Sequence, residues 1–82
     1  MARRATDQAI AQVNAGRLAD ALPLFRRAVE LMPENANVHR NLANALLDAR
    51  DYSGAAAEAR EALRRNPTDS ISKDILIEAS RR

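Results

Sequence analysis

Residues 24–35 read LFRRAVELMPEN, and residues 58–69, one period of thirty-four further on, read EAREALRRNPTD. Each is an amphipathic helical run that ends at a proline, a residue that lacks the N–H needed to carry a helix onward and restricts the residue before it. Pro33/Pro67, Arg26/Arg60 and Ala28/Ala62 stand in register. Extending the comparison outward, residues 2–35 laid over 36–69 share eight identities, the others being Ala2/Ala36, Ala9/Ala43, Ala11/Ala45, Ala15/Ala49 and Ala21/Ala55. Alanine richness inflates that count. It does not explain Val13/Leu47, Leu18/Tyr52 and Val29/Leu63, which repeat size and polarity at matched places. A period of this length is the mark of stacked helix pairs, each of which buries its apolar face against the next.

Two turns, NAGRL over residues 14–18 and DARDY over 48–52, divide each unit into two helices. Gly16 suits the left-handed residue that ends a helix, and Asp51 suits an N-cap. The spacing predicts five helices: from 2 or 6 to 15, from 18 or 20 to 31, 36–49, 53–65, and 70 to about 80. Pro23 is expected in the first turn of the second of these, with Asp20 or the residue before it as cap. Small residues at Ala9, Ala21, Ala28, Ala43, Ala55 and Ala62 allow helix backbones to approach closely. Leu18, Phe25, Leu42, Leu46, Tyr52 and Leu63 fill the space between neighbouring pairs.

The second helices carry Leu18, Ala21, Phe25, Ala28, Pro33 and then Tyr52, Ala55, Ala59, Ala62, Pro67. This resembles the tetratricopeptide repeat, whose second helix places a large residue, alanine, aromatic, alanine and proline at that spacing, although Ala59 stands at the aromatic place that Phe25 fills in the first unit. The first helices depart from it, with Ala5 and His39 at the large aromatic place and Gln8 against Leu42 at the leucine. The resemblance implies an all-α, right-handed α-solenoid of two helix-turn-helix repeats plus a C-terminal capping helix. Within a single domain, 1–82, the repeats are 2–35 and 36–69 and the capping helix is 70–82, its Leu76 docked on the second helix of repeat two. A non-enzymatic protein or peptide interaction module is the function that goes with it.

Composition narrows the alternatives. Eighty-two residues make one domain at most, and the 46% hydrophobic content includes one Phe, one Tyr and no Trp, so alanine-mediated helix contact replaces a thick core. The absence of cysteine excludes disulfides, zinc thiolates and cysteine nucleophiles. His39 is the sole histidine, and no glycine-rich phosphate loop or metal-spaced ligand set occurs, so no catalytic residue, metal or cofactor is expected. Carboxylates fall beside arginines, as in Arg26/Glu30 and Glu61/Arg65, at a spacing worth ~0.2–0.5 kcal/mol per pair on a solvated helix. The N-terminal MARRATDQAI lacks the apolar core of a signal, and no segment approaches the ~18 apolar residues of a membrane span. A soluble, cytoplasmic chain is the expectation. Net charge is only +2. Arg26, Arg27, Arg60, Arg64 and Arg65 could merge into a basic strip on the outer face, but stacking aromatics are missing and Glu30, Glu58 and Glu61 dilute the field, so nucleic acid is disfavoured as a partner.

Asn37, Arg40, Asn41, Asn44 and Asp48 fall at steps of three and four on one face of the helix over 36–49, leaving Leu42, Ala43 and Leu46 for packing. Amides both donate and accept, and a guanidinium can grip an oxyanion in two places, so the row suits peptide backbone or a carboxylate. Asparagine also lowers helix propensity, which points to use. A partner-binding concave face is therefore expected, with Ile71 and Ile75 extending it as an apolar floor and Ile10 and Val13 at its other end. Some members of the resembled family bind acidic chaperone tails through basic and asparagine residues on successive first helices. Arg40 with Asn44 is similar to half of that clamp, but Ile71 and Ile75 occupy the other half, so a chaperone tail is not implied. The competing expectation is a homo-oligomerisation or scaffold element without a peptide ligand. Ile77 stands where Ala9 and Ala43 stand in the two units, and no second helix follows it, which makes it the candidate contact of a weak homodimer.

Overall fold

Prolines and capping side chains set the boundaries of four helices in the computed structural model, which describes residues 18–82, with side chains from Asp20 onward. They are α1 (Leu18–Leu31), α2 (Ala36–Asp48), α3 (Tyr52–Arg65) and α4 (Ser70–Ser80). Both ends of α1 recur in α3 after a shift of 34, and the start of α2 recurs in α4 after the same shift. The helix expected over 2–15, the Gly16 turn, and Ile10 and Val13 lie outside the described residues.

Local chemistry explains the boundaries from the end of α1 to the start of α4. Pro33 stops α1, and Asn35 then adopts an extended conformation (φ −91°, ψ 117°) in which its side chain accepts from the Asn37 N–H at 2.8 Å. One period later Pro67 and Asp69 repeat the device, Asp69 Oδ1 accepting from the N–H groups of Ile71 at 3.1 Å and Ser72 at 3.4 Å. Asp51 caps α3 through the Gly54 N–H at 3.0 Å. At the end of α2, Arg50 takes the left-handed conformation (φ 65°). The Arg50 N–H donates to the Leu47 carbonyl at 3.0 Å and the Asp51 N–H to the Leu46 carbonyl at 2.9 Å, the paired closure that normally recruits glycine. Gly16 occupies the corresponding place one period earlier.

Pro23 departs from expectation. Because α1 already begins at Leu18, Pro23 falls in its second turn and not in the first. It cannot donate to the Ala19 carbonyl. Ala21, two residues before it, is fully buried, so packing holds this turn helical despite the missing bond.

Ala21, Ala43, Ala55 and Ala59 have no exposed surface, which is how alanine brings helix backbones together. Phe25, at 4% exposure, and Leu42, at 2%, fill the gaps that remain, and burying each stabilises by about 1.5–3 kcal/mol. Leu76 lies half-buried against this core. Each helix packs on its sequence neighbour, and α2 also touches α4, so the described chain is an α-helical repeat solenoid.

Polar contacts fasten α3 to the α1–α2 turn. The buried His39 ring meets the Glu58 carboxylate through Nδ1 and the Pro33 carbonyl through Nε2, both at 2.7 Å. Arg65 Nη1 donates to Glu61 at 2.6 Å. Its buried Nε has no hydrogen-bond partner, and Glu34 Oε2, 3.7 Å away, is too far for a bond. The expected Glu61/Arg65 pair thus forms, whereas Arg26 and Glu30 make no ion pair among the described residues.

Candidate functional site

Val38, His39, Leu42, Ala43, Ala45 and Leu46 turn one side of α2 into the core. At 3.6 residues per turn, the arc of about 100° left open holds Asn37, Arg40, Asn41, Asn44 and Asp48. Asn37, Asn44 and Asp48 are exposed, and Arg40 and Asn41 are half-buried. On α4 the places one period later are Ile71, Asp74 and Glu78, matching Asn37, Arg40 and Asn44 in turn; the place of Asp48 falls at Arg82, beyond the end of the helix. α2 also touches α4 directly.

Ile75 does not belong to that surface. It is 4% exposed, on the same side of α4 as the buried Ser72 and Ala79, because that side packs into the core shared with α2 and α3. Ile71, 53% exposed, is the isoleucine that remains available on the open arc.

The Arg40 guanidinium lies 3.6 Å from the Asp69 carboxylate. Burial alone would push the Asp69 carboxyl up. Hydrogen bonds from the Ser72 hydroxyl (2.8 Å) and N–H, the charge of Arg40 and the Ile71 N–H together outweigh it and hold Asp69 below the usual aspartate range. Arg40 therefore already faces a carboxylate, in contrast to the expectation that it grips an incoming one. Arg82 donates to Glu78 at 2.6 Å. Asp48 and Asp74 make no ion pair, and the side-chain amides of Asn37, Asn41 and Asn44 make no hydrogen bond, among the described residues. The acids of α4 were missed by reading α2 alone, although the shift of one period from Arg40 and Asn44 leads to them.

Elsewhere, Glu61 accepts from Arg64 at 3.1 Å and Arg65 at 2.6 Å, the Arg65 hydrogen bond doing most to hold Glu61 below its ordinary range. Two of the five arginines expected in an outer basic strip thus share the one Glu61 carboxylate. Ile77 is 54% exposed, whereas Ala43, one period earlier, is fully buried. On the same side of α4, the exposed Lys73 and Ser80 replace the buried His39 and Leu46 of α2. The open depression bounded by Leu31, Met32, Pro33, Glu34 and Asn35 brings in one carboxylate. Among the described residues, no three of His, Cys, Asp or Glu converge as metal ligands would.

A family model for the tetratricopeptide repeat matches residues 6–70. Comparison with curated proteins returned no match. With the family match spanning most of the sequence and helix boundaries recurring at one period, the chain belongs to the tetratricopeptide repeat family, whose repeats generally mediate protein–protein interactions.

Proposed function

We propose that the chain is a non-catalytic module that binds an extended segment of a protein partner along the open face of α2 and α4. The observation that carries this reading is the row of three asparagines on one arc of α2 whose amides engage nothing among the described residues. Each costs helix stability, about half a kcal/mol relative to alanine, at places where alanine, glutamate or lysine would serve the helix better. An extended peptide has unpaired backbone donors and acceptors that such amides can meet, and Ile71 beside them offers apolar surface. Among the described residues no helix is long and apolar enough to cross a membrane.

The test uses a peptide selected from a displayed random library on the whole chain. Asn41→Ala combined with Asn44→Ala should leave helicity intact, or raise it, and weaken that peptide about tenfold or more. Unchanged affinity contradicts the reading.

Ile77 supports a second reading, weak self-association, because it is exposed where Ala43 is covered. The polar Lys73 and Ser80 on that side of α4 weaken the case. Sedimentation of the chain beside its Ile77→Asp variant decides it: a concentration-dependent dimer lost in the variant supports self-association, and two identical monomers exclude it.

A further inference from the structure

We infer that the partner segment is basic, carrying lysine or arginine side chains that meet Asp48 and Asp74. This rests on the α2–α4 face being the binding surface and identifies the chemistry that face selects.

Among the described residues, the one cation on the open arcs of α2 and α4 is already matched. Arg40 lies against Asp69 at 3.6 Å, and Arg82, beyond the end of α4, pairs with Glu78 at 2.6 Å and lies over the Tyr52 ring. Asp48 and Asp74 are the charges left over, both exposed and neither in an ion pair among the described residues. Their sign is opposite to that of the chain, whose net charge is +2. Asp48 moreover sits in the last turn of α2, at the negative end of the helix dipole, with no basic residue in that turn to offset it. The helix gains nothing from an acid there, whereas a cationic ligand gains from both the carboxylate and the helix end.

The asparagine row and Ile71 specify a peptide over a small cation. Free amides on α2 suit backbone N–H and C=O groups, and the exposed isoleucine suits an apolar side chain between charged ones. An acidic segment meets the reverse conditions: two carboxylates in no ion pair among the described residues, and an arginine that must give up Asp69. Repulsion of this kind excludes wrong partners as effectively as attraction selects the right one.

Displayed random peptides of about twelve residues, a length that spans neighbouring helices when extended, are the probe. They are selected in parallel on the whole chain and on its Asp48→Asn/Asp74→Asn variant. Peptides from the first pool that perturb the NMR amide signals of α2 and α4 are expected to carry an excess of Lys and Arg over Asp and Glu. The excess should vanish on the variant, and a synthetic member of the pool should lose about tenfold affinity for it at low salt. A groove-binding pool without basic excess, or with the same excess on the variant, overturns the basic-partner inference and leaves the α2–α4 face standing. A pool that maps to other surfaces, or no enrichment, overturns the binding face itself.

Discussion

The Arg40 guanidinium stands 3.6 Å from the carboxylate of Asp69, so the helix that presents the asparagine row is tied to the cap of the helix beside it. The pair spans α2 and the cap of α4 and sets a carboxylate before the one arginine on α2 that could otherwise bind a partner's carboxylate. One contact thus links the stacking of the repeat to the kind of ligand its face accepts.

Because Asp69 is held below its ordinary range, its contribution to stability is present above the unfolded-state value of about 3.9 and is lost as pH falls through the folded value. Urea midpoints should be flat from about pH 7 to 5 on this account and decline below about pH 4. In Asp69→Asn, which keeps a side-chain cap but not the charge, the decline should be smaller; it should not vanish, since Glu61 is lowered too. Equal declines in the two proteins contradict the assignment.

His39 and Glu58 couple α2 to α3 at 2.7 Å, and His39 also reaches the Pro33 carbonyl. A double-mutant cycle with His39→Ala and Glu58→Ala should give a coupling of about 0.5–3 kcal/mol, as partners in one partly buried network do. Strict additivity at neutral pH denies the pair a structural role.

Arg50 bears left-handed strain at φ 65°. The strain costs about 1–2 kcal/mol in a non-glycine residue, partly offset by the greater unfolded-state freedom of glycine. Arg50→Gly should therefore stabilise by about 0.5–1 kcal/mol, read as a higher Tm. A lower Tm shows that the arginine side chain contributes something its exposed position does not suggest.

Much of this architecture is legible in the sequence because its determinants are local. Pro33 and Pro67 stop helices wherever they stand, Asp51 caps by its own side chain, and matched alanines such as Ala28 and Ala62, at 1% and 0% exposure, record close helix approach. What escaped depends on how helices turn against one another. Ile71 and Ile75, one helical turn apart, look equivalent along α4, yet packing on α2 and α3 leaves the first exposed and buries the second. Arg40 looks free until Asp69, twenty-nine residues later, is brought beside it. Proline is cheapest in a first turn, yet Pro23 stands in the second turn of α1, where the buried Ala21 packs into the core.

The central claim is that the open face of α2 and α4 receives a protein segment. Its most direct test is amide-resolved NMR of the 82-residue chain during titration with a peptide selected on it. The account predicts that the largest shifts fall on the backbone amides of Asn37, Asn41, Asn44 and Ile71, and that the outer-face amides of Arg26, Arg27 and Arg60 stay still. Shifts confined to that outer face, or to the surroundings of Ile77, contradict it.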